Sequence, residues 1–288
     1  MRYAHVSTVL SLVFSLLVPA AAAHDARSAF EIHGVTQDFI DRMAALGYPD
    51  LDDDRLVAFK IHGVSERFVE EMRDVGLPRL EPDQLIAFRI HGVDRRFVEE
   101  MNGLALGRFS PDTLIGFRIH GVSPGFIEQM RALGLELDAD DAMAFRIHGV
   151  TAEFIDEMAE LGFAGLDSGD LIAFRIHRID RAFIDEMADL GLTGLTVDQA
   201  LRLRIHQVDE RFRDEMAELG LGNFTADRLV AMRILDVDEE LIRELRGGPV
   251  GPDAVRRILG ERSCGRRDCF DDGLWNALIE VVGDLSGL

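Results

Sequence analysis

The stretch Phe59–Ala87, FKIHGVSERFVEEMRDVGLPRLEPDQLIA, decides the fold. Its centre, Phe59 to Ser65, returns as Phe88 to Asp94, Phe117 to Ser123 and Phe145 to Thr151. Working outward from it, a histidine keeps the register at His33, His62, His91, His120, His148, His177 and His206. The spacing is 29 residues throughout, except 28 between His120 and His148. The missing residue falls near Leu135–Asp138, where a loop is expected, because loops absorb deletions that helices do not.

Each unit reads as two short helices. Helix A of the second unit should run about Asp53–His62, with Asp52 as its N-cap. Ser110, Asp138, Asp167, Thr196 and Thr225 are the equivalents. Such side chains accept from the free N–H groups of a first turn. Gly63 then takes the left-handed conformation that ends a helix, with Val64 as the accompanying apolar contact. Ser65 caps helix B, expected at about Glu66–Val75 and closed by Gly76. Thr36, Asp94, Ser123, Thr151, Asp180, Asp209 and Asp238 stand in the same place in other units.

The apolar pattern follows from this. In helix B, Phe68, Val69, Met72 and Val75 share one face. Helix A is apolar nearly all round (Leu85, Ile86, Ala87, Phe88, Ile90) and is expected to form the buried layer. Helices of about ten residues are marginal alone, so neighbouring hairpins must stack. The fold class expected is all-α: a right-handed-type α-solenoid of about eight two-helix repeats of 28–29 residues, with a C-terminal helical cap. Two Phe columns (Phe59 and Phe68 with their equivalents) and a Met column from Met43 to Met216 make the expected core.

The chain carries a formal net charge of −21. That acidity argues against nucleic acid, whose binding rests on neutralising phosphates, and against anionic membrane surfaces. It suits solubility and a cationic partner. Residues 1–23 read as a signal peptide: Arg2, an apolar Val6–Pro19, then Ala21-Ala22-Ala23 as a cleavage site; an uncleaved membrane anchor is the rival, for which the core is short and interrupted by Pro19. A secreted or periplasmic location follows, with no stable membrane insertion after cleavage. The first unit is read as partial, starting near Phe30. Repeats occupy residues 24–246, and the eighth decays, with Leu235 for His and Asp236 for Gly. Residues 247–288 form a C-terminal cap after a Gly/Pro break, with helices expected at about Asp253–Leu259 and Asp271–Val282. The cap's Arg256, Arg257, Arg262, Arg266 and Arg267 form a local basic patch. Between its helices Cys264 and Cys269 stand four apart. A disulfide loop suits an oxidising compartment; free thiols and pairing with another chain are the alternatives.

No catalytic constellation, metal motif or cofactor loop is found, so the chain is read as no enzyme and as needing no cofactor. Two columns are candidates for function. His62, His91, His120, His148, His177 and His206 end helix A, where a ring can bond the last carbonyls; a collective pH response is the sharper reading. Arg89, Arg118, Arg146, Arg175 and Arg204, with Lys60 and Arg233, form a basic column opposite an acidic one (Glu70-Glu71, Glu99-Glu100, Asp156-Glu157). An ion-pair ladder between helices is the plain reading. An arginine row binding carboxylates or an extended acidic ligand is the functional one.

The pattern I-H-G-V-[ST]-x-x-F-[IV]-x-E-M-x-x-L-G-[LYF], as in Ile147–Phe163, resembles repeats of bacterial β-lactam-sensor-type membrane metallopeptidases, the M56 family, and of related secreted bacterial proteins. The peptidase zinc motif is absent, so no peptidase activity carries over. The resemblance implies an extracytoplasmic sensing or interaction module. Two function classes result: a non-enzymatic scaffold for a protein partner, and a periplasmic regulator of a membrane signalling protease, pH-responsive through the histidines.

Overall fold

The computed structural model describes residues 26–104, 106–245 and 272–287, and positions 253 and 258. The signal segment, the Cys264–Cys269 loop, the tail arginines and the helix expected at 253–259 lie outside the described residues, apart from those two positions. Every regular element among the described residues is an α-helix.

The chain divides into two compact units, one ending at Pro124 and one beginning at Gly125. The first contains α1 (Ala26–His33), α2 (Gln37–Ala45), α3 (Asp53–His62), α4 (Glu66–Asp74), α5 (Pro82–His91), α6 (Arg95–Asn102) and α7 (Pro111–His120). Its A helices pack in series, α1 on α3, α3 on α5 and α5 on α7. The partial first unit is therefore given a helix A after all, in the shortened form α1.

The second unit holds α8 (Pro124–Ala132) from its second residue on, then α9 (Ala139–His148), α10 (Ala152–Glu160), α11 (Ser168–Ile176), α12 (Arg181–Asp189), α13 (Val197–Ile205), α14 (Glu210–Glu218), α15 (Ala226–Leu235) and α16 (Glu239–Leu245). Here too the A helices follow one another, α9 on α11, α11 on α13 and α13 on α15. The last described helix, α17 (Asp272–Gly287), lies against α15 and α16. The one-residue deletion falls between α8 and α9, outside both helices.

The local chemistry explains the hairpin. Ser65 accepts from the Phe68 N–H at 3.2 Å, and Asp94, Asp180 and Asp209 do the same for Phe97, Phe183 and Phe212. Such a cap contributes about 1 kcal/mol. The capped residue is itself a core phenylalanine, so the cap that starts helix B also sets the ring that anchors it. At the other end of helix A, Gly63 has φ 69° and ψ 33°. This lets the Val64 N–H reach the Phe59 carbonyl at 2.7 Å and turns Val64 into the core, where it is buried.

The Phe column from Phe59 to Phe174 and the Met column from Met43 to Met216 are buried as expected. Edge-on rings fill the gaps between repeats: Phe109 lies 5.0 Å from Phe117, and Phe163 lies 5.2 Å from Phe174. Tyr48 donates to the Leu80 carbonyl of the next repeat at 2.8 Å. Its burial pushes the phenol pKa above the ordinary value.

One expectation fails. Helix A is not buried all round. Ile90 is 52 % exposed, and so in each unit are its equivalents: Ile32, Ile61 and Ile119 in the first, Ile147, Ile176 and Ile205 in the second. The reason is angular. Two residues after the core phenylalanine, a helix has turned about 200°, so the isoleucine faces away from the core.

Candidate functional site

Both candidate columns sit at the C-terminal end of helix A, and the arginines are the better explained. Each base reaches back to the preceding repeat and lies over a ring of its helix B. Lys60 stands 3.9 Å from the Phe39 ring centre, Arg89 5.0 Å from Phe68 and Arg118 4.1 Å from Phe97. In the second unit Arg146 lies over Phe126, Arg175 over Phe154, Arg204 over Phe183 and Arg233 over Phe212. A guanidinium on a ring face contributes about 0.5–1 kcal/mol at an exposed site.

The same side chains close the helix before them. Arg89 Nε donates to the His62 carbonyl at 3.3 Å, Arg175 Nε to that of His148 at 3.3 Å, and Arg204 Nε to that of His177 at 3.0 Å. These carbonyls lack intrahelical partners. Each of these three arginines is thus a clamp from one repeat to the last, satisfying a helix end and covering a ring at once.

The ion-pair ladder expected of this column does not form. None of Lys60, Arg89, Arg118, Arg146, Arg175 and Arg204 pairs with a carboxylate among the described residues. The acids are held elsewhere: Glu71 by Arg67, Glu99 by Arg95, and Glu157 and Glu160 by Arg181. In the second unit, Arg181 and Arg175 help line a shallow, open hollow of about 540 Å³, whose other walls include Glu153, Asp156, Glu157 and Glu160. Its surplus of carboxylates makes it hostile to anions.

The histidines stand where expected, but their rings make no hydrogen bond or ion pair among the described residues. It is the histidine's backbone carbonyl, not its ring, that the clamp uses. At His206, burial and the nearby Arg202 hold the pKa below the ordinary imidazole value. No group of three His, Cys, Asp or Glu gathers to hold a metal ion among the described residues, and no helix among them is long and apolar enough to cross a membrane.

Between repeats, short polar contacts join successive A helices at their N-terminal ends. Arg55 holds Asp83 at 3.3 Å, Gln84 holds Asp112 at 3.1 Å and Gln199 holds Asp227 at 3.0 Å. The carboxylates of Asp83 and Asp52 raise the pKa of Arg55, Asp83 contributing most. In the last A helix the same position is Arg228, which is buried and held by Glu280 and Asp284 of α17. Helix α17 therefore supplies the acids that a following repeat would otherwise bring.

The site residue that sequence reading missed is the exposed isoleucine. Its signal was available: it lies opposite the Phe column on the helical wheel. No protein-family model matches the chain, and no curated protein matches it.

Proposed function

We propose that the chain is a non-enzymatic, extracytoplasmic protein-interaction scaffold, and that each unit is a stretch of α-solenoid drawn from about eight two-helix repeats. One observation supports this above the others. From Phe59 to Met187, successive repeats bury the same two phenylalanines and methionine and present the same isoleucine and base at the end of helix A. A protein that repeats its surface as faithfully as its core offers a partner many equivalent contacts, which multiply weak affinities. An asymmetric active site would need one repeat to differ from its neighbours.

The resemblance to repeats of M56-type membrane metallopeptidases and the signal-like residues 1–23 support a location in the bacterial envelope for this scaffold. The partner is a protein, since a net charge of −21 repels phosphate-rich ligands. The test is affinity capture of the full chain, after cross-linking, from an envelope extract. One or a few dominant protein partners are expected. A dominant membrane protease would make the scaffold a regulator of that protease; capture of no protein would contradict the proposal.

A further inference from the structure

The exposed large apolar side chains of the described residues are the isoleucine row and Leu133. A surface apolar residue needs no explanation singly, but a row repeated at fixed spacing marks an interaction face. Its surroundings say what the face accepts. In the first unit Arg89 lies within hydrogen-bond reach of the His62 carbonyl, one residue after Ile61, and Arg118 packs on the ring of Phe97. The Nε of Arg89 is engaged, while both its Nη nitrogens lack a partner among the described residues. Cations with open edges thus alternate with apolar side chains along the row. The second unit repeats the arrangement with Ile147, Ile176 and Ile205; Arg175 there also borders the carboxylate-lined hollow, so Arg204, which reaches the His177 carbonyl one residue after Ile176, is its anion-binding edge.

In a chain so acidic, these cations make no ion pair among the described residues, and ring stacking holds them in place before any ligand arrives. A planar guanidinium with a free edge takes a carboxylate in a two-pronged bond. Packed helices stand about 8–10 Å apart, and a polyproline II chain advances about 9 Å per three-residue turn. One apolar residue and one acid in every three would therefore meet one isoleucine and one guanidinium per repeat.

The geometry points to the isoleucine row and its arginine edge, in each unit, as a docking face for an extended acidic peptide with an apolar residue at every third position. This rests on the scaffold reading and adds to it the face and the chemistry of the partner. A second copy of the chain fits poorly, because it would bring its own cation-edged isoleucine row against this one. An anionic lipid surface would meet the cations but also the carboxylates of helix B.

The test uses the full chain and a fluorescent peptide of repeated Leu-Pro-Glu triplets, with neutral Leu-Pro-Gln as control, read by anisotropy. The wild-type chain should bind the glutamate peptide, more weakly as salt rises, and the glutamine peptide far less. Replacing Ile61, Ile90, Ile119, Ile147, Ile176 and Ile205 by Thr should weaken binding at least about tenfold while helicity by circular dichroism holds. Should that variant lose helix, Ile90→Thr alone should still weaken binding by about threefold. Equal binding by either variant, equal binding of the glutamine peptide, no binding by wild type, or self-association through the row that shuts the peptide out would each overturn the inference. The scaffold reading is judged separately. If the six-threonine variant captures the same envelope partner as wild type, the scaffold stands and this face is wrong.

Discussion

Phe117 and Ile119 are two residues apart on α7, and the structure treats them oppositely: the ring is fully buried and the isoleucine is 46 % exposed. The same contrast separates Phe59 from Ile61 and Phe145 from Ile147. Composition cannot tell these two apolar rows apart; helical phase does. One row is the material of the core. The other has no partner among the described residues and is edged by cations. Hydrophobicity thus fixes which helices must pack, while the face each residue occupies decides whether it serves stability or recognition.

The largest effect should come from the buried row. Phe117→Ala removes a ring packed edge-on against Phe109 and should cost about 3–5 kcal/mol in urea denaturation. A cost near that of a surface substitution would erase the contrast. Next comes the clamp: Arg175→Gln loses the stack on Phe154 and the bond to the His148 carbonyl, about 1–2 kcal/mol by the same assay. An unchanged midpoint would mean that the arginines serve recognition alone.

A third prediction runs the other way. Where earlier repeats end helix A with a left-handed glycine, Arg178 and Gln207 hold φ of 54° and 53°. A side chain there is strained by about 1–2 kcal/mol, partly offset by the extra freedom glycine has when unfolded. Arg178→Gly should therefore raise stability by about 0.5–1 kcal/mol. The smallest effect concerns Asp141, whose pKa is raised by burial and by Asp138. The folded state holds this proton more tightly than the unfolded, so stability falls as pH rises through the window above the ordinary carboxylate value, and the penalty persists at neutral pH. Asp141→Asn should raise Tm slightly at pH 7, and the gain should vanish under acid conditions.

Much of this was legible in the sequence for a definite reason. Caps and C-terminal glycines are local devices, so Asp52, Ser65 and Gly63 mark helix ends without tertiary knowledge. The Phe and Met columns were equally plain, because burial repeats with the period of the helix. What failed were inferences about what lies between repeats. Opposite charges in aligned columns suggested a ladder, yet Arg89 is drawn to a carbonyl and a ring across the repeat boundary, and Glu71 is taken by Arg67 one turn away. Sequence columns give the order of residues along a hairpin but not which neighbour a long side chain reaches. Ile90 was misassigned because an apolar helix was treated as apolar on every side, although its own register placed that residue opposite Phe88.

Urea denaturation of the six-threonine variant tests most directly whether the isoleucine row is surface rather than core. Its midpoint should stay close to that of the wild-type chain, far above that of Phe117→Ala. A fall matching or exceeding that of the phenylalanine variant would show that the row is packed inside the protein and is not a face offered to a partner.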